Sequence, residues 1–148
     1  MKQVLAIPKL VFDKQFSNKE FLHYDYACFI SIIDNDNKEN KFDTSINNFL
    51  QVKMWDIEKD LTDSNGTKYS KPKDSELIRI VNFVKKHSDK VVFLIHCSAG
   101  ISRSGAVATY IKDKFINEID KKKFFLENKF ILPNLYILKR LKFLDGVS

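Results

Sequence analysis

Cys97 and Arg103 are the residues of this 148-residue chain best suited to chemistry. They stand six positions apart in His96-Cys97-Ser98-Ala99-Gly100-Ile101-Ser102-Arg103-Ser104-Gly105. An ionised thiol is a strong nucleophile, and a planar guanidinium matches two oxygens of a phosphate in a way that lysine cannot. The apolar run Val91 to Ile95 leads into the stretch and reads as a short buried strand, while Ala106 to Asn117 leads out of it as an amphipathic helix. A strand that stops in small residues and restarts as a helix turns successive backbone N–H groups inward. The helix N-terminus adds partial positive charge. Such a cradle binds a tetrahedral oxyanion, with Cys97 at its floor and Arg103 at its rim. A cysteine after an apolar strand is by itself an ordinary core residue. The spacing to Arg103, with Gly100 midway, argues for chemistry instead.

His96-Cys97-(five residues)-Arg103-Ser104 resembles the signature of the cysteine-dependent protein tyrosine phosphatases, and the small size of the chain resembles the dual-specificity branch. The resemblance implies a cysteinyl-phosphate mechanism. Ser98, Ala99, Gly100, Ile101 and Ser102 would surround the phosphate with Arg103, and donors aimed at the equatorial oxygens do much of the catalysis. A free thiol has a pKa of about 8.5, and helix N-termini with nearby cations lower it to roughly 3.5–7.5. By the same resemblance His96 helps orient the loop and favour thiolate, as a structural residue more than a proton carrier. Ser104 would help the thiolate leave in the second step; alternatively it only caps the helix. Phe130-Ile131-Leu132-Pro133-Asn134 looks like the family's closing Pro-Asn segment, where Asn134 would support the loop from behind. Simple capping explains Asn134 equally well.

A phosphatase of this type needs a general acid for the leaving oxygen, worth typically 10²–10⁴ in rate. Asp56 is the choice, because it directly follows the strand Leu50 to Trp55, where the resemblance places the acid on a mobile loop. Asp60 and Asp63 are the rivals. The gap from Asp56 to Cys97 is longer than expected of small dual-specificity enzymes, and an insertion around Ser64 to Pro72 accounts for the excess. If the insertion lies elsewhere, Asp60 gains.

No segment resembles the phosphotyrosine-recognition element of the larger tyrosine-specific enzymes. A shallow site for phosphotyrosine, phosphoserine or phosphothreonine of a phosphoprotein, or for a small phosphoester, is the expectation. The loop interior has no lysine, which disfavours the phosphoinositide branch. RNA 5′-triphosphatases share the Cys-to-Arg spacing and stay secondary. His23, His87 and His96 lack zinc-like spacing, so neither metal nor cofactor is expected. A phosphate-binding module without turnover is the alternative from another class, although such relatives usually lose Cys or Arg. Sulfur transfer and arsenate reduction leave Ser104 and Asp56 without a reason, and arsenate reduction wants a resolving thiol. Cys28, inside another apolar run, reads as core.

Composition frames these readings. Twenty-five basic and 19 acidic side chains give +6. That excess suits anionic substrates and equally an ordinary surface, and no arginine-rich run argues for nucleic acid. Two cysteines make no disulfide framework, and a working thiolate favours a reducing compartment. Met1 to Val11, interrupted by Pro8, does not read as a signal peptide. No apolar run approaches the roughly 20 residues of a membrane span. One cytoplasmic, monomeric domain over residues 1–148 is the expectation.

In order, the chain reads as an edge strand Val4–Ile7 ended by Pro8, a helix start at Ser17 with Glu20, and a buried strand Ala27–Ile33. A polar turn cluster, Asp34–Lys41, follows, with nothing to hold it tightly. Next come a strand Asn48–Trp55, a long polar loop Asp56–Lys73, and a helix Asp74–Lys86 with Leu77, Ile78, Ile80, Val81 and Val84 as its core stripe. After the motif helix lie a solvated helix start at Asp120–Lys123, a turn or short helix Phe124–Phe130, and a last helix opened by Pro133-Asn134, with Pro133 near a first helical position. Leu135, Leu138, Leu141 and Leu144 form its stripe. Alternating strands and helices predict an α/β fold: a mostly parallel central sheet flanked by helices, protein tyrosine phosphatase-like by the resemblance. Ligands of such sheets sit beyond the carboxyl ends of the strands, so the loops after Trp55 and Ile95 are expected to share one rim.

Overall fold

A computed structural model of the chain describes residues 2–15, 25–38 and 48–146. Its elements are β1 (Gln3–Pro8), α1 (Lys9–Gln15), β2 (Ala27–Ile33), β3 (Phe49–Lys53), β4 (Leu61–Thr62), β5 (Lys68–Tyr69) and α2 (Asp74–Lys86). Then come β6 (Val92–Cys97), α3 (Arg103–Phe115), α4 (Glu118–Glu127) and α5 (Leu135–Leu144). Among the described residues, four parallel strands form the main sheet in the order β1-β6-β2-β3. The expected α/β architecture is the one observed, with β1 at an edge.

The two central strands are apolar on both faces because both faces are covered; every residue of β2 is buried. One face of the sheet packs Ile30, Ile32, Val52 and Ile95 against Leu77, Ile80, Val107, Ile111, Ile137 and Leu141 of α2, α3 and α5. The other collects Phe29, Phe49 and Leu94 around Phe12 of α1. Cys28 lies in the first of these cores, and burial pushes its thiol up to about 12, which keeps it protonated and inert. The outer edge of β1 is closed by one side chain. Asn128 accepts from the Ala6 N–H at 2.8 Å and donates to the Val4 carbonyl at 2.8 Å, standing in for a neighbouring strand.

Several boundaries differ from the sequence reading. Lys9–Gln15 is helical, with Phe12 fully buried; the helix start expected at Ser17 lies outside the described residues. The polar stretch Asp56–Lys73 contains the hairpin β4–β5. Asp63 turns it by accepting from the N–H groups of Asn65 and Thr67, both at 2.9 Å, and Gly66 takes the left-handed conformation there. The motif helix begins at Arg103, since the Ala106 N–H already reaches the Ser102 carbonyl at 2.9 Å. Asn117 caps a single helix, α4, where a separate start and turn were expected. Asn134 caps α5, so Pro133 stands just before the cap and not in the first turn. That cap turns Leu135 outward, 52% exposed, and makes Ile137 and Leu141 the buried pair.

Helix α5 is tied to α2 and α3 along its C-terminal half. Arg140 donates from Nε and Nη2 to the two oxygens of Asp74 on α2, at 2.8 and 2.6 Å. The Asp145 carboxylate, its side chain wholly buried, takes Lys114 at 2.7 Å and Lys85 at 2.9 Å. These pairs seat α5 on α2 and α3, and Asn134 is the residue that caps its start.

Candidate active site

The carboxyl ends of β2, β3 and β6 converge, and Arg103 ties them together. Its guanidinium is buried. Nη1 donates to the Asp34 carboxylate just beyond β2, at 2.6 Å, and to the Met54 carbonyl just beyond β3, at 2.8 Å. Nη2 donates to the Ser98 hydroxyl at 3.1 Å. Nε has no partner among the described residues, so the Nε side of the guanidinium keeps unspent donor capacity.

Cys97 ends β6 and is buried, with its Sγ 3.1 Å from the Ser104 hydroxyl on the first turn of α3. Ser104 therefore faces the sulfur; the cap position belongs to Ser102. The loop between them is wedged against β1. Gly100 has φ +72, and a Cβ there would lie 2.4 Å from both the Ile7 carbonyl carbon and the Pro8 nitrogen. Only glycine meets both conditions. The Ser98 carbonyl accepts from the Lys9 N–H at 3.2 Å, and the Ile101 carbonyl from the Leu132 N–H at 3.1 Å. Ala99 is exposed, and Ile101 is 36% exposed at the outer edge of the loop.

His96 points to the other side of the strand, as alternation requires. Its ring packs 4.2 Å from Phe12, and burial pushes its pKa down to about 4. The imidazole is therefore neutral at pH 7 and braces the strand by packing.

Asp56, exposed, is the carboxylate of the loop after β3 that reaches the motif. Its Oδ1 accepts from the Ser102 hydroxyl at 2.7 Å and from the Asn134 side-chain amide at 3.0 Å. Asn134 also donates to the Ile57 carbonyl at 3.2 Å and caps α5 by accepting from the Ile137 N–H at 3.0 Å. Its own N–H reaches the Ser102 carbonyl at 3.1 Å. The support and capping readings thus describe one residue doing both. The rivals are engaged elsewhere: Asp60 accepts from the Lys71 N–H at 2.8 Å, and Asp63 serves its own hairpin turn and the Tyr69 hydroxyl.

Two residues of the site escaped the sequence reading. Asp34, expected in a turn cluster that nothing holds tightly, pairs with Arg103; its position after a strongly buried parallel strand is the signal that marks it. Glu58 accepts from the Leu135 N–H at 2.9 Å and ties the Asp56 loop to α5, a contact with no local signal. No group of three or more metal-ligating side chains occurs among the described residues.

Residues 14–126 match the family profile described as Protein-tyrosine phosphatase. The chain belongs to the protein-tyrosine phosphatase family. Solved phosphatases share its fold. The PTP-2 phosphatase of Cydia pomonella is 20% identical, with 96% of this chain and 85% of that one covered and a TM-score of 0.56. PTPMT1 in complex with PI(5)P is 16% identical, with 97% and 90% covered and a TM-score of 0.51. Human DUSP28 is 11% identical, with 97% and 91% covered and a TM-score of 0.51. No curated protein matches the chain by sequence. In this member of the family no helix among the described residues is long and apolar enough to cross a membrane.

Proposed function

We propose that the chain hydrolyses phosphomonoesters of a phosphoprotein or small phosphoester, with tyrosine or dual specificity, through a phosphorylated Cys97. The thiolate of Cys97 attacks phosphorus in line and the bond to the leaving oxygen breaks. Asp56 gives that oxygen its proton. Water then attacks the phosphocysteine, Asp56 takes the water's proton, and the sulfur leaves as a thiolate steadied by the Ser104 hydroxyl 3.1 Å away. Arg103, with the backbone of Ser98 to Ser102, holds the non-bridging oxygens as their charge develops.

The observation that carries this reading is how Arg103 is held. Its Nη1 is consumed by Asp34 and Met54, which fixes the plane of the guanidinium, while Nε stays unpaired in a buried position. A buried unpaired donor is costly unless an acceptor arrives, and a phosphate oxygen is such an acceptor. The absence of lysine between Cys97 and Arg103 favours monophosphorylated side chains over polyanionic inositol headgroups or RNA 5′-triphosphates.

The test is hydrolysis of para-nitrophenyl phosphate. The native chain is expected to turn over, and Cys97→Ser to be inactive while still binding vanadate or tungstate. Turnover retained by Cys97→Ser overturns the mechanism. Oxyanion binding without turnover by the native chain would identify a phosphate-binding module instead.

A further inference from the structure

The Ser64 to Pro72 segment has no part in the chemistry above, yet it shapes a cleft beside the site. Hairpin β4–β5 is anchored through Tyr69, whose ring meets Trp55 edge-on at 5.1 Å between centroids. Its return strand leads into Ser70–Lys73, which with Asp60 and the outer face of α5 encloses a cleft of about 550 Å³. The loop Asp56–Asp60 runs from the candidate active site to the cleft. Asp60 lies at the end of the loop that begins with Asp56, and that loop is bonded to the start of α5 through Glu58 and Asn134. Tyr136, on the cleft, is two residues beyond Asn134.

The charges of the cleft do not cancel. Asp74 is paired with Arg140 through two hydrogen bonds, which leaves Lys71 and Lys73 against the single carboxylate of Asp60, itself bonded to the Lys71 backbone N–H. The Lys71 ammonium lies 5.3 Å from the Tyr136 ring centroid, and neither it nor Lys73 has a carboxylate at ion-pair distance among the described residues. Two exposed ammonium groups, one of them placed by an aromatic ring, thus face an open cleft a few residues from the loop that carries Asp56.

We propose that this cleft takes a second anionic group of the substrate polypeptide, a carboxylate or a phosphate lying near the phosphorylated side chain in its sequence. The proposal rests on the phosphatase reading and gives it a substrate class: phosphoproteins with an acidic or multiply phosphorylated flank. The hairpin then acts as a specificity element, adding binding energy remote from the reacting phosphorus.

The experiment compares kcat/KM of the full chain for phosphotyrosine peptides of equal length with neutral, glutamate-bearing and phosphoserine-bearing flanks, alongside para-nitrophenyl phosphate. The expected result is a preference of about three- to tenfold for an anionic flank, expressed in KM. The preference disappears in Lys71→Glu/Lys73→Glu and is halved or more in Lys71→Gln/Lys73→Gln, while para-nitrophenyl phosphate kinetics stay unchanged in both. The glutamate and phosphoserine arms tell a carboxylate from a phosphate. Equal kcat/KM for all flanks in the native chain, or an anionic preference that survives both double variants, overturns the proposal. If nothing is turned over, the catalytic reading is what fails, and fluorescence anisotropy of the same peptides applies the same criterion to the cleft.

Discussion

The loop after β6 and the loop after β3 meet where the Ser102 hydroxyl reaches Asp56, but they are held by different means. Cys97 to Ser104 is held by features written into its own residues and the end of β1. Gly100 is seated where no side chain fits, the Ser98 carbonyl takes the Lys9 N–H, and both Arg103 and Ser104 are buried. Asp56 is exposed and is held by two side-chain hydrogen bonds, from Ser102 and from Asn134 far along the chain. Neutral hydrogen bonds contribute about 1 kcal/mol each, and those to charged groups up to about 3. On the proposed mechanism, the half that binds the oxyanion is built into the local fold of its own loop, whereas the half that transfers the proton hangs on side-chain contacts at the surface.

Separating the halves should produce the largest effect. Asp56→Asn is expected to lower kcat by about 10²–10⁴ for alkyl phosphates, whose leaving groups need a proton, and by much less for activated aryl phosphates. Asp60→Asn should leave both unchanged, since that carboxylate serves the Lys71 backbone. Steady-state kinetics across a leaving-group series checks this. If Asp60→Asn shows the leaving-group dependence and Asp56→Asn does not, the acid is assigned to the wrong residue.

This contrast also sets what was legible in the sequence. The Cys97 loop could be read because strand, small residues, arginine and helix follow one another locally, and the alternation of strands and helices announced the parallel sheet. Asp56 could be proposed because it follows a strand, where the family resemblance places the acid. Its separation from Asp60 and Asp63 depends on the hairpin turn at Asp63 and on Asn134, contacts that no periodicity encodes. Asp34 was misread for the same reason: an aspartate among asparagines looks like a turn until Arg103 is brought to it by β6 and α3.

A smaller effect should follow at the other end of Arg103. Asp34→Asn keeps a hydrogen-bond acceptor but removes the charge that orients Nη1, and about a tenfold loss in vanadate affinity and in kcat/KM is expected. Asp34→Glu should recover part of it. Because this residue acts on oxyanion binding, the loss should be the same for good and poor leaving groups, unlike that of Asp56→Asn. A leaving-group-dependent loss would place Asp34 in proton transfer instead.

The smallest effect concerns His96. Its folded-state pKa of about 4 lies below the ordinary 6.5, so the folded chain keeps it neutral while the unfolded chain takes up a proton as pH falls through 6.5. Stability from this group is therefore full above pH 6.5 and falls progressively toward pH 4, by about 2 kcal/mol between pH 7 and pH 5. Urea unfolding at the two pH values measures it. His96→Phe, which keeps a ring against Phe12, should remove that part of the pH dependence. An unchanged slope would mean that the histidine does not titrate as its burial requires.

The most direct test of the central claim is acid-quenched trapping during turnover of an aryl phosphate, followed by mass spectrometry of the peptide that contains residue 97. One phosphoryl group on Cys97, accumulating further in a variant that slows hydrolysis of the intermediate such as Ser104→Ala, is the predicted result. Turnover with no phosphorylated cysteine at any quench time, or a phosphoryl group on another residue, would contradict it.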